Sequence, residues 1–440
     1  MHNASVTYQR QLGLFSATMM VVGGIIGSGI FLNPSVVAER VGTAGGTMAV
    51  WVGGAVIAMM GAFVFAELGQ RRPRVGGGYA YLREAFGPMV GFLYAWGLLL
   101  IIATGAIAAV AMTFASYAVP LFGWTDATRQ PLAGAAIALL TLVNIVGVRP
   151  GAWTQNIFTI LKLAAIAALV AAAFTGAGAL PLASAVALPN AGNPLVVFGA
   201  ALVPVLFAFG GWQQTNFVAE EMIDAERNLP RALVLGVLVV VAAYLLVNLA
   251  YLRALGIDGL AASSAPASAT MAAVSGDTGR RLIAAGIVAS TFGFLNLVIL
   301  VSPRVYQAMA RDGLFFSRFA RLHPKWRTPV SALVMQGAWA VVLLLSGTYG
   351  DLLDYVVFAD WIFFGLTAAT LFVLRRRDGG AGQGFRVPFH PWTTIAFIAA
   401  SAYVVVGSVL SNPANALRGS ALLALGIPVF LHWRRRAVGT

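Results

Sequence analysis

The sequence contains no cysteine, which excludes disulfides, thiol chemistry and cysteine-based metal sites. Its four histidines, His2, His323, His390 and His432, lie in the N-terminal tail, in loops and at a helix end, at spacings that make no metal site. No G-x-x-x-x-G-K-S/T loop is present to cradle the phosphates of ATP, and no nucleophile–base pair marks a membrane enzyme. No cofactor, metal or catalytic group is therefore expected. Charge is scarce as well, at 10% of residues, well below the roughly 25% of soluble domains. Lysine is the rarest charge: Lys162 and Lys325 stand among 28 basic residues.

What the chain has instead is apolar surface. Hydrophobic residues make up 59% of it and the mean hydropathy is +0.84. A helix crossing a bilayer needs roughly 20 apolar residues. The sequence predicts such spans at 12–32, 44–69, 86–118, 131–147, 154–175, 194–218, 231–255, 279–302, 329–347, 353–374, 391–411 and 415–432, twelve in all. The first run is long and has no small-residue cleavage pattern, so it is expected to be retained. Loops are short, and a single membrane domain over 1–440 is the simplest organisation. With both termini in the cytoplasm, basic residues divide 21 inside to 6 outside, the bias that orients membrane proteins. That bias also accounts for the net charge of +13. The arginines are dispersed over separate loops, which argues against nucleic-acid binding and favours anionic lipid headgroups.

Two spans are interrupted by glycine: the first at Gly23-Gly24-Ile25-Ile26-Gly27-Ser28-Gly29, the sixth at Phe207-Ala208-Phe209-Gly210-Gly211-Trp212. Either cluster alone also fits close helix packing. Broken helices at matching positions in two halves point to an inverted-repeat transporter with a site near the midplane. Unwound backbone in a bilayer persists only where it lines a cavity. A break exposes the N–H groups of one half-helix and the carbonyls of the other, which suit an anion and a cation. The two charges of an amino acid head group match that arrangement. Without an ATP loop, transport would be driven by gradients.

These residues carry a resemblance. The run from Gly23 to Phe31 resembles the first-helix motif of the amino acid–polyamine–organocation superfamily. Phe207 to Trp212, Asn216 to Met222 and Arg227-Asn228-Leu229-Pro230 resemble the L-type amino acid transporter family and its bacterial members. Further matches lie at Ala66 to Gly69, at Gln155 to Thr159 with Lys162, and at Val247 to Tyr251. The resemblance implies an all-α membrane protein of the leucine-transporter-like fold. Repeat one would cover about 11–175, an inverted repeat two about 194–374, and two C-terminal helices about 391–432. It implies that Gly27, Ser28 and Gly29 bind the substrate carboxylate, and that carbonyls of Ile25, Phe207 and Gly210 take the ammonium. Phe207 would be an occluding lid, with Trp212 a gate and Tyr244 a pocket residue. Light subunits of this family are tied to a heavy glycoprotein by a disulfide, which a chain without cysteine cannot form.

Three charges fall within or at the ends of spans. Lys162 lies about 13 Å into a core of roughly 30 Å, deeper than snorkelling relieves. By the resemblance it stands where sodium-coupled members hold their ion, which implies sodium independence; the alternative is that it titrates and couples a proton to transport. Glu67 closes the second span and is expected to be structural, a gate, or a coupling group. Asp360, in the tenth span, replaces an amide that many light subunits carry there; it could pair locally, bind a proton or draw a cationic substrate. The resulting expectation is a sodium-independent exchanger of neutral L-amino acids in the cell membrane. A proton-coupled symporter, a cationic amino acid transporter and a non-transporting amino acid receptor are the alternatives.

Overall fold

A backbone N–H or C=O left unpaired in hydrocarbon is so costly that lipid-spanning chains run as helices or closed barrels. This chain runs as helices. The computed structural model describes residues 6–176, 194–346, 349–379, 384–411 and 413–438; the link between the two expected repeats, 177–193, lies outside them. The elements are α1 (Leu14–Ile25), α2 (Gly29–Val41), α3 (Ala44–Arg71), α4 (Gly78–Phe86), α5 (Pro88–Gly97), α6 (Ala103–Leu121), α7 (Arg129–Ile145), α8 (Val148–Thr175) and α9 (Pro194–Ala208). Then follow α10 (Ala225–Ala261), α11 (Pro266–Val301), α12 (Pro303–Arg311), α13 (Val330–Ser346), α14 (Tyr349–Arg377), α15 (Trp392–Ser411), α16 (Pro413–Ala424) and α17 (Gly426–Val438).

Among the described residues, nine helices are long and apolar enough to cross a membrane, or ten if α1 and α2, bent by 42°, form one span. The helices at the fourth and ninth expected positions, α7 and α13, have 17 residues each. Local departures from the expected spans have local causes. The third is interrupted by a π-helical turn at Leu98–Ile102 between α5 and α6. The seventh runs on to Ala261 across a kink at Gly256, whose φ of 67° a side chain would disfavour.

Two apolar cores hold the bundle. One gathers α1, α2, α3, α9 and α10, and the other α6, α7, α11, α12 and α13. In the first, Trp51 of α3 meets Phe209 and Tyr244 edge-on, with ring centroids 5.9 and 5.7 Å away. Edge-to-face packing of this kind fixes ring positions beyond what area burial alone does. The result anchors α3 and α10 against the end of α9.

Several basic residues expected in cytoplasmic loops lie at helix ends, and among the described ones Arg304 is the one that is fully buried. It sits in the first turn of α12. Its guanidinium grips Glu221 through two bonds, Nε to Oε1 at 2.8 Å and Nη2 to Oε2 at 3.3 Å, and also donates to the Leu300 carbonyl. The N-terminal segment lies on the same corner: Gln11 and Leu12 donate to the Glu221 carbonyl at 2.8 and 2.9 Å, and Ile223 N–H returns to Leu12 at 2.9 Å. Loop assignment failed here because the sequence displays the arginine and not the carboxylate that folding brings to it. Removing one partner of a buried pair leaves an uncompensated charge, at about 3–5 kcal/mol. Arg304→Met should therefore depress the thermal midpoint in detergent strongly, and the Glu221→Met, Arg304→Met double variant should recover most of the loss. Equal midpoints for the single variant and the parent would contradict the pairing.

Candidate functional site

Ile26, Gly27 and Ser28 separate α1 from α2. Within the break, Ile26 N–H still reaches the Val22 carbonyl at 2.9 Å, but Gly27 N–H turns back onto Ile25 at 2.9 Å. The N–H groups of Ser28 and Gly29 and the Ser28 hydroxyl have no partner among the described residues. They stand at the positive end of the α2 dipole, where an anion is favoured. The second break follows Ala208, and Gly210 N–H folds onto the Phe207 carbonyl at 3.1 Å. It extends further than the sequence suggested, because Trp212–Glu221 continues as a 3-10 stretch. The two breaks touch through backbone. Gly211 has φ +116°, and a Cβ there would lie 2.1 Å from the Gly24 carbonyl oxygen.

The first break is held from three sides. Along α8, Thr159 and Lys162 present hydrogen-bonding groups to α1, one helical turn apart. Thr159 Oγ1 donates to Met19 at 3.2 Å, and Lys162 Nζ donates to Gly23 at 3.1 Å and Ile26 at 2.7 Å. From α11, the Ser290 hydroxyl faces the carbonyls of Ile26 and Gly27 at 3.3 and 3.4 Å. From α10, the Tyr244 hydroxyl lies 3.0 Å from the Ile25 carbonyl and 3.1 Å from that of Ala208, spanning both breaks. A phenol has one proton, so it serves one of these carbonyls at a time.

Between the breaks lies a cavity of about 300 Å³. Of the residues expected from the sequence, Ile25, Gly27, Ser28, Gly29, Phe207, Gly210 and Asp360 line it. Phe207 is 38% exposed. Tyr244 and Trp212 do not line the cavity; both are buried behind its wall, Trp212 against Phe364 and Phe397. The Ile25 carbonyl already receives Gly27 N–H, and its second acceptor position is filled whenever the Tyr244 hydroxyl donates to it in place of Ala208. The Phe207 carbonyl, with one donor, keeps a place open. Glu67 lies apart from the cavity lining. It accepts Arg71 at 2.9 Å, Arg375 at 2.8 and 2.5 Å, and Val387 N–H at 2.7 Å. Every acceptor position of this carboxylate is occupied, an arrangement suited to tying α3 to α14 and the segment before α15. Beside it, just beyond the end of the α14 span, Arg72 bonds to Asp378 and holds that carboxyl below the usual carboxylate range.

Sequence reasoning missed several lining residues. Asn33, Gln213 and Gln214 sit within about a turn of the breaks, and that proximity was the available signal. Thr113 of α6 and Phe294 of α11 reach the cavity only because their helices pack beside it. The contact between the breaks separates two neighbouring glycines. A Cβ at Gly210 would meet nothing closer than 3.4 Å, whereas one at Gly211 overlaps the Gly24 carbonyl and needs a left-handed backbone, itself a strain of about 1–3 kcal/mol. Gly210→Ala should keep most of the parent's thermal stability and Gly211→Ala should lose several degrees of melting midpoint, read in parallel by detergent unfolding; equal behaviour would refute the contact.

Known proteins share this arrangement of sequence. The family model described as amino acid permease matches residues 12–430. The serine/threonine exchanger SteT of Bacillus subtilis (strain 168) is 33% identical over 440 residues, covering 99% of each chain. The Asc-type amino acid transporter 1 of Homo sapiens is 33% identical over 460 residues, with 98% of this chain and 84% of that protein covered. The large neutral amino acids transporter small subunit 2 of Homo sapiens is 32% identical over 449 residues, with coverage of 98% and 82%. These matches span nearly the whole chain, both breaks and the cavity walls included. The chain belongs to the amino acid permease family of the amino acid–polyamine–organocation superfamily, and is a multi-pass membrane transporter of amino acids.

Proposed function

We propose that the protein is a sodium-independent exchanger of neutral L-amino acids in the cell membrane, working without a disulfide-linked heavy subunit. The observation that carries this reading is the Lys162 ammonium on the carbonyls of Gly23 and Ile26 at 3.1 and 2.7 Å. A covalently attached cation already occupies the acceptors that a metal ion would use, so no sodium gradient has a place to act. In this reading the substrate carboxylate docks on the free N–H groups of Ser28 and Gly29, and the Phe207 carbonyl contributes to holding the ammonium. Twelve spans, arranged as 11–175, an inverted 194–374 and the helices of 391–432, would carry both termini on the cytoplasmic side.

In this reading, alternating access works around the two breaks that border the cavity. The cavity walls run from the π-turn at Leu98 along α6 to Thr113 and along α2 to Asn33, and on the other side reach Phe217 and Ser302, close to the paired Arg304 and Glu221. Phe207 would swing over the substrate on occlusion, while Trp212 and Tyr244 act from behind as supports. Asp360, lining the cavity, also favours a second reading in which a proton or a cationic substrate is coupled to transport.

Purified protein in liposomes separates these readings. Uptake of labelled amino acid should require amino acid inside, be unchanged by replacing sodium, and respond little to a pH gradient. Accumulation in empty liposomes driven by an inward proton gradient would overturn exchange. Lys162→Ala removes two hydrogen bonds from a charged donor, each worth roughly 1.5–3 kcal/mol. Its exchange rate should fall at least about tenfold, with substrate affinity changing less; an unaltered rate would sink the stand-in role.

A further inference from the structure

Among the described residues that line the cavity, Asp360 is the only ionisable one. It is half-buried, and no described residue makes a hydrogen bond or ion pair with it. Trp361 and Phe364 flank it on the same wall, and the remainder of the lining is apolar or neutral. While the cavity holds water, the carboxylate is solvated. Once the site closes around a substrate, a carboxylate with no donor would be stranded in a poorly solvating environment.

Two substrate properties can be read from this. The first is net charge. Around the breaks, Lys162 contributes one buried positive charge and Asp360 one negative charge, while Arg304 and Glu221 cancel each other. A zwitterion with a neutral side chain leaves that sum at zero. A side-chain cation would add an uncompensated charge to the closed interior, which is expensive in a low dielectric. The second property is hydrogen bonding. An aliphatic side chain displaces water from Asp360 and returns nothing, whereas a neutral donor replaces the water.

Resting on the transport reading above, we propose that Asp360 is a specificity-determining residue that selects neutral amino acids whose side chain donates a hydrogen bond, a hydroxyl or an amide, over aliphatic ones of the same size. The site then discriminates by the penalty of an unpaired polar group, which separates substrates more sharply than a missing methylene does.

Threonine and valine provide the test, since they differ by a hydroxyl in place of a methyl. Equilibrium binding of tritiated threonine and tritiated valine would be measured on purified protein, on Asp360→Asn and on Asp360→Leu. The parent should bind threonine roughly tenfold to a hundredfold more tightly than valine. Asp360→Asn keeps an acceptor without the charge and should narrow the ratio severalfold; Asp360→Leu should abolish or invert it. Should the leucine variant fail to fold, the asparagine variant decides alone. Equal binding by the parent, or a ratio unaltered in the folded variants, overturns the proposal. So does displacement by 2,4-diaminobutyrate at lower concentration than threonine, which would make Asp360 a counter-ion for a cationic side chain. Exchange of other amino acids with neither threonine nor valine bound would defeat this inference alone. Absence of binding and exchange for every standard amino acid would defeat the transport reading beneath it.

Discussion

The break in the first span exists because an ammonium is fixed beneath it. Unwinding Ile26 to Ser28 frees carbonyls that hydrocarbon would not tolerate unpaired, and Lys162, fully buried, donates to two of them. Each side relieves the other: a lysine this deep needs oxygen acceptors, and the freed carbonyls need donors. Ser290 and Tyr244 add donors from two further helices. The break is therefore a rigid feature of the bundle, and the free N–H groups of Ser28 and Gly29 are held ready where an anion can reach them.

Direct contact between the breaks makes them one device. Gly211 lets its backbone approach Gly24, and Tyr244 lies within reach of the carbonyls on either side. A movement of one half-helix is thus felt at the other without an intervening side-chain chain. On the far side of this contact, the 3-10 stretch carries Glu221 to Arg304 and to the backbone of Gln11 and Leu12. The cavity and the Arg304–Glu221 corner are consequently joined through one continuous segment, 207–223. A continuous link of this kind would suit the alternating access proposed above, in which opening one end closes the other.

The distribution of charge follows the same economy. Glu67 has all its acceptor positions filled by arginines and a backbone N–H, and Glu221 has its bidentate arginine. Such pairs tie helices together and leave no vacancy for a ligand. Asp360 differs in kind because it borders empty space without a described partner. In a membrane interior that contrast separates a structural acid from one that reads what enters the cavity.

Much of this was legible in the sequence. Apolar runs of span length dictated helices, since no other local structure pairs a backbone in lipid. The glycine clusters marked both breaks, because glycine there permits a backbone contact and a positive φ that other residues resist. Lys162 declared itself by depth alone. Other features depended on residues far apart in the chain. Arg304 read as a loop arginine until Glu221, 83 positions away, was placed beside it; Tyr244 read as a pocket residue until its hydroxyl proved to be turned onto the Ile25 carbonyl from behind. Glu67 and Asp360 look alike as single acids in apolar spans, and only packing gives one a full set of donors and leaves the other facing the cavity. Periodicity and composition decide which segments enter the membrane, because that is a local balance between side chain and solvent. Which buried polar group finds a partner is decided between helices, and so only the tertiary structure could assign it.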